Sequence, residues 1–102
     1  MKNYTDLNAQ EFISISKSVF GSVVVDCRTA SEIKIKSLKH DLHLDISLKK
    51  TYQQIDKLDR NKTYFIYCHS GSRSSFLCEY FASHDFKNIF NLEGGILSVK
   101  NL

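Results

Sequence analysis

Tyr64-Phe65-Ile66-Tyr67-Cys68-His69-Ser70-Gly71-Ser72-Arg73-Ser74-Ser75 is an apolar run of strand length that passes through a small polar loop into an amphipathic segment. Four consecutive large apolar residues, Tyr64 to Tyr67, read as a strand covered on both faces. From Arg73 to Ser83 the apolar residues Phe76, Leu77, Tyr80 and Phe81 recur on one stripe, which predicts a helix facing a core. In an open α/β sheet, ligands bind beyond the carboxyl ends of the strands. Cys68 occupies that position.

The rest of the chain repeats this alternation of strand and helix. Ser22 to Asp26, with three successive valines, predicts a buried strand in the middle of a sheet. Asn8 with Glu11 forms a capping box that starts a helix near Ala9, with Leu7 and Phe12 placed for a hydrophobic staple. Thr29 with Glu32 is a second box, opening a short helix over Ala30 to Lys36. Leu42, Leu44 and Ile46 alternate with His43 and Asp45 as a strand with one wet face. Leu48, Tyr52, Ile55 and Leu58 recur at helical spacing after a Ser47 cap. Phe86 to Leu92 is the last strand, and Gly94-Gly95 turns the chain into a short C-terminal helix. Alternating strands and helices give an α/β fold, a mostly parallel sheet with helices on its faces.

Composition limits what such a fold can be. A length of 102 residues makes one domain, 1–102, with one core. With 42% hydrophobic and 25% charged residues the chain is globular rather than disordered. The net charge of +3 is scattered, without the clustered basic face that nucleic acid binding needs. The longest apolar runs fall far short of a membrane span, and the N-terminus lacks the apolar core of a secretion signal, so a cytoplasmic location is expected. The three cysteines, Cys27, Cys68 and Cys78, form no C-x-x-C pair and no Cys/His cluster. No disulfide framework, structural metal or cofactor is expected.

The loop after Cys68 carries the chemistry. Small residues let successive backbone N–H groups turn inward as a nest, and the following helix aims its positive end at the same point. A fall in the Cys68 pKa from about 8.5 to about 6 would raise its thiolate share at pH 7 from roughly 3% to roughly 90%. Gly71 supplies a positive φ and a close backbone approach. The fork of Arg73 can tie loop carbonyls or a donor anion, and its charge favours the thiolate. Ser70, Ser72 and His69 can add side-chain donors, His69 without an acid-base role. Asp26 and Arg28 are placed to form ion pairs at the loop edge, with Asp26 facing Arg73. Cys27, at the carboxyl end of its own strand, shares the edge with Cys68; it either fills a small apolar slot or serves as a resolving thiol. Cys78 is structural.

Three segments in order resemble the single-domain rhodaneses. Cys68 to Arg73 is similar to their active-site loop, Val23-Val24-Val25-Asp26-Cys27-Arg28-Thr29 with Glu32 to their Asp-x-Arg strand and capped helix, and Asn91-Leu92-Glu93-Gly94-Gly95-Ile96 to their Leu-x-Gly-Gly turn. The resemblance implies a five-stranded, mostly parallel sheet with helices on both faces, and a sulfurtransferase. Cys68 would take a sulfane sulfur from a small donor (thiosulfate, persulfide or polysulfide), hold it as a persulfide and pass it to a thiol, cyanide-like or protein acceptor. The amides from His69 to Ser74 would hold the developing charge. It implies no cofactor, metal, nucleic acid or membrane partner. The alternatives are a non-enzymatic docking or sulfur-relay module and, with less support, a Cys-dependent phosphatase or arsenate reductase. The latter commonly place five residues between Cys and Arg, whereas only His69, Ser70, Gly71 and Ser72 stand there here. The chain departs from the family pattern at Ser37-Leu38-Lys39-His40-Asp41, where a His-Ile-Pro-Gly-Ala-like segment is usual, and at Asp85, where Gly is common.

Overall fold

Thr63–Tyr67 is the middle strand of the sheet, and its alternation divides the core in two. A computed structural model describes residues 2–100; Met1, Asn101 and Leu102, which the expected domain 1–102 includes, lie outside the described residues. The elements in chain order are β1 (Thr5–Leu7), α1 (Ala9–Ser18), β2 (Val23–Asp26), α2 (Ala30–Ile35), β3 (Leu42–His43), α3 (Lys49–Asp56), β4 (Thr63–Tyr67), α4 (Ser72–Ser83), β5 (Asn88–Leu92) and a closing 3-10 turn at Ile96–Ser98. The five strands lie in the order β1-β5-β4-β2-β3. Every ladder is parallel.

On one face Tyr64, Ile66 and Cys68 join Val23, Val25 and Cys27 from β2, Ile55 from α3, and Leu77, Cys78 and Phe81 from α4. On the other, Phe65 and Tyr67 meet Phe12 of α1, Leu92, Ile96 and Val99. The side-chain period of two along a strand produces this split. Phe65 stacks on Phe90 at 5.0 Å and takes the edge of Phe12 at 5.7 Å. Among the described residues, no helix is long and apolar enough to cross a membrane.

Both capping boxes form. Asn8 Oδ1 accepts from the Glu11 amide at 2.9 Å and Glu11 Oε1 from the Asn8 amide at 3.1 Å. Thr29 and Glu32 repeat the exchange at 3.3 and 3.1 Å. Leu7 and Phe12 lie in one apolar cluster, as a staple requires. At the end of α4, Asp85 adopts φ +71°, and the Phe86 amide reaches back to the Phe81 carbonyl at 3.2 Å. This is a Schellman closure with Asp in the position glycine usually takes.

Several expectations are corrected. β2 is an inner strand, but the middle of the sheet is β4. Regular pairing over Leu42–Ile46 shrinks to Leu42–His43; Leu44 still donates to the Asp26 carbonyl at 2.9 Å before the chain veers off. Ser47 does not cap α3. Its hydroxyl and amide both turn to Asp45 Oδ1, and Leu48 begins the helix without a side-chain bond. Phe76 is 55% exposed, and the buried stripe of α4 is Ser74, Leu77, Cys78 and Phe81. In this rotation the first turn presents Ser74 to Cys68. β5 starts at Asn88, although Phe86 remains buried against Phe81 at 4.6 Å. β1 was not anticipated, since Thr5-Asp6-Leu7 is short and buries only Leu7.

Asp26, fully buried, is held by Arg28 through Nε to Oδ1 at 3.1 Å and Nη2 to Oδ2 at 2.9 Å, with the Arg28 amide on Oδ1 at 2.9 Å. Arg28 Nη2 also donates to the Lys36 carbonyl at 2.7 Å, fastening the end of α2 to that of β2. Removing one partner of such a pair strands a buried charge. Arg28→Ala is therefore expected to lower the stability measured by urea denaturation by about 3–5 kcal/mol. A loss below about 1 kcal/mol would show that the Asp26 carboxylate finds solvent once Arg28 is gone.

Candidate functional site

β4 delivers Cys68 to the carboxyl edge of the sheet, and Gly71 starts α4 three residues later. Between them the peptide groups point in a defined sense. The Cys68 carbonyl accepts from the Ile96 amide at 2.9 Å, the His69 carbonyl from Leu97 at 3.2 Å, and the Gly71 carbonyl from Ser75 at 3.0 Å. Amides of the loop and of the helix start turn to the sulfur. Gly71 N–H donates to Cys68 Sγ at 3.1 Å, and Ser74 donates through its amide and its hydroxyl, each at 3.3 Å.

Two glycines make this packing possible. Gly71 has φ +109°, and a Cβ there would stand 3.2 Å from the Gly94 nitrogen. Gly95 backs onto the His69-Ser70 peptide so closely that any Cβ would overlap the His69 carbonyl. The Gly94-Gly95 turn is thus the wall behind the loop. Gly71 behaves as its sequence position implied.

The Cys68 thiol is held down to about 4. The largest cause is the neighbouring Cys27 thiol; burial works in the opposite direction, and the Ser74 hydroxyl, Ser74 amide and Gly71 amide add to the lowering. Cys27 is driven the other way, far above its ordinary value, chiefly by its nearness to Cys68 and also because it is buried. At neutral pH the pair is therefore a thiolate with a neutral thiol beside it. Cys27 and Cys68 do share an edge and a face, as the strand ends implied.

Arg73 does not face Asp26. Its guanidinium grips Glu32 with two bonds of 2.8 Å, and Asp26 is taken by Arg28. The Arg73 fork ties a carboxylate rather than loop carbonyls. Glu32 is pulled down to about 2, first by Arg73 and further by the Thr29 backbone and side chain. His69, Ser70 and Ser72 are exposed, and only the Ser74 side chain among the loop serines reaches the sulfur. Cys68 itself is fully buried; a 180 Å³ hollow lined by Arg28, Glu32, Ile35, Lys36, His69, Ile96 and Leu97 includes its chain neighbour His69 but not Cys68. A larger hollow of 400 Å³, between Phe12, Val24 and Leu38, includes no residue of the loop.

Three contributors escaped the sequence reading. Glu32 reads as a capping-box residue, yet its Oε1 accepts from Thr29 and from Arg73 Nη1 while Oε2 takes Arg73 Nη2. The influence of the Cys27 thiol on Cys68 depends on the β2–β4 register. The Ile96 and Leu97 amides carry no side-chain signal at all.

Residues 8–102 match the family model described as a rhodanese-like domain. The chain belongs to the rhodanese-like domain family. It is 30% identical over 76 residues to a protein of Allochromatium vinosum named sulfurtransferase, spanning 74% of this chain and 69% of that one. A protein of Coxiella burnetii named thiosulfate sulfurtransferase GlpE is 27% identical over 73 residues, spanning 72% and 66% respectively. The fold superposes on a rhodanese-like domain protein from Staphylococcus aureus with a TM-score of 0.79 at 20% identity, covering 92% of this chain and 89% of the other. This rhodanese-like domain thus has distant relatives named as sulfurtransferases.

The thiolate forms above its pKa, so ultraviolet absorbance of the thiolate should titrate with a midpoint near 4 and be complete by neutral pH. Cys27→Ala removes the neighbouring thiol and Ser74→Ala a hydroxyl donor, and each should raise the midpoint by about one unit or more. A midpoint in the ordinary thiol range in the unaltered protein would contradict the cradle. Gly95→Ala pushes on the His69-Ser70 peptide and is expected to raise the same midpoint without touching any side chain at the sulfur.

Proposed function

We propose that the domain is a rhodanese-type sulfurtransferase with Cys68 as its catalytic residue. The Cys68 thiolate attacks the sulfane sulfur of thiosulfate, a persulfide or a polysulfide. The donor's S–S bond breaks, sulfite or a thiolate leaves, and the sulfur remains on Cys68 as a persulfide anion. An acceptor thiolate or cyanide then attacks the outer sulfur, and Cys68 departs again as a thiolate. No redox partner is needed, because one S–S bond replaces another or becomes a C–S bond.

The observation that carries this reading is the group of donors on one buried sulfur, Gly71 N–H, Ser74 N–H and the Ser74 hydroxyl, with the thiol at about 4. A nucleophile ionised at neutral pH is also a good leaving group, and transfer in two steps requires both. The first-turn amides of Ser72 and Arg73 have no partner within α4 and are available to the outer sulfur. Arg73 anchors the loop to α2 through Glu32, and Asp26 with Arg28 fixes the neighbouring strand end. The hollow lined by Ile35, His69 and Leu97 adjoins the loop and would receive donor and acceptor. The relatives named as sulfurtransferases support the same reading.

A phosphatase or arsenate reductase would want an uncommitted guanidinium for a tetrahedral dianion. Both arginines at this edge are already paired with carboxylates, and only four residues separate Cys68 from Arg73. Mass spectrometry after incubation with thiosulfate or glutathione persulfide should show one sulfur gained on Cys68, lost on adding cyanide and never gained by Cys68→Ser. Turnover of an aryl phosphate that vanishes in Cys68→Ser would replace this reading with a phosphatase. A folded protein that gains no sulfur from either donor would leave a docking module.

A further inference from the structure

Cys27 is a second buried sulfur that transfer to an external acceptor does not consume. β2 and β4 are neighbouring parallel strands with Asp26 opposite Tyr67, and the Cys27 amide continues the ladder onto the Tyr67 carbonyl at 3.1 Å. Cys27 and Cys68 are therefore the next pair in register. Val23, Val25 and Cys27 lie on the same face as Tyr64, Ile66 and Cys68, so both sulfurs enter one apolar cluster. Adjacent strands are about 4.8 Å apart, within the roughly 4.4–6.8 Å between Cα atoms that a disulfide spans.

We infer that Cys27 acts as an internal acceptor that reduces the sulfur carried by Cys68 to sulfide, giving the domain a persulfide reductase activity in addition to transfer. The step rests on the persulfide reading above. Cys27 Sγ attacks Cys68 Sγ, the bond between Cys68 Sγ and the outer sulfur breaks, and that sulfur leaves as hydrosulfide with the proton Cys27 gives up. The products are hydrosulfide and a Cys27–Cys68 disulfide. Charge and atoms balance: a persulfide anion and a thiol become a disulfide and a hydrosulfide anion. The outer sulfur is reduced and the two cysteine sulfurs are oxidised, so no further oxidant enters. A small dithiol closes the cycle by reducing the disulfide.

The surroundings favour the step only after loading. Gly71 and Ser74 approach Cys68 from the loop and helix, and Cys27 approaches from the neighbouring strand. An outer sulfur held by the loop amides leaves the strand side of Cys68 to Cys27. Before loading, the neighbouring Cys68 and burial hold the Cys27 proton in place. Once a sulfur is added, the charge moves one atom outward and the hold exerted by Cys68 weakens, while burial stays. Cys78, also buried in the cluster, sits within α4 with its thiol towards the Phe90 carbonyl at 3.8 Å, and it does not share the register of Cys27.

The test uses the reduced full chain, loaded with glutathione persulfide and freed of small thiols by rapid desalting. Intact mass and released sulfide are then followed together. The unaltered protein should first gain one sulfur, then convert to a form lacking two hydrogens as sulfide appears, with peptide mapping placing the bond between Cys27 and Cys68. Cys27→Ser, and Cys27→Ala as a second variant, should load and keep the sulfur about tenfold longer or more, because an internal nucleophile has been removed. Cys78→Ala should follow the unaltered protein. Equal lifetimes of the loaded form with and without Cys27, or sulfide release without the Cys27–Cys68 bond, would overturn the internal step and leave transfer standing. Failure of every form to gain sulfur would overturn both.

Discussion

A buried anion is costly, and this domain is arranged around making one tolerable. The three cysteines supply their own comparison, since Cys27, Cys68 and Cys78 are all fully buried in one apolar cluster. Burial alone pushes a thiol up, and Cys78, whose largest influence is burial, goes well above its ordinary value. Cys68 goes down because hydrogen bonds outweigh the same penalty. The difference between an inert thiol and a thiolate therefore lies in the direction of a few N–H and O–H bonds and in a neighbouring thiol, not in depth or in nearby formal charge.

Those directions are set at a distance. The loop that carries the Gly71 and Ser74 amides is held in place through the carbonyls of Cys68 and His69, which accept from Ile96 and Leu97, more than twenty positions later in the chain. Gly95 lets that turn lie against the loop, and Arg73 ties the start of α4 to α2 through Glu32. Each contact reaches the loop from a different element, so the cradle exists only when the sheet order is complete.

This explains which parts could be read from residues alone. Local signals were reliable wherever the deciding contact was local: the Asn8–Glu11 and Thr29–Glu32 boxes, the left-handed Asp85, the positive φ at Gly71 and the buried run of Tyr64 to Tyr67. Ser47 failed because Asp45, two residues back, competes for its hydroxyl as an Asx turn does. Phe76 failed because helical spacing gives the width of a stripe but not its rotation, which here buries Ser74 against the sulfur and leaves Phe76 exposed. Arg73 was assigned the wrong carboxylate. Asp26 and Glu32 are both plausible from the sequence, and only the buried Arg28–Asp26 fork removes one of them. β1 has one buried residue and gains its identity entirely from pairing with β5.

The way charge is distributed at the edge bears on the chemistry proposed for it. Two guanidiniums stand near Cys68, and each is balanced by a carboxylate. What touches the sulfur directly is an array of neutral dipoles. A free cation at that point would hold the thiolate in one place. Dipoles spread over a loop and a helix start can follow a single negative charge as it moves from Cys68 to an outer sulfur and back. Sulfur transfer asks for such a shift over one bond length, with little net change in charge. A phosphoryl group would add charge of its own and need uncompensated positive groups to meet it. The committed arginines and the short loop therefore favour sulfur for the same electrostatic reason.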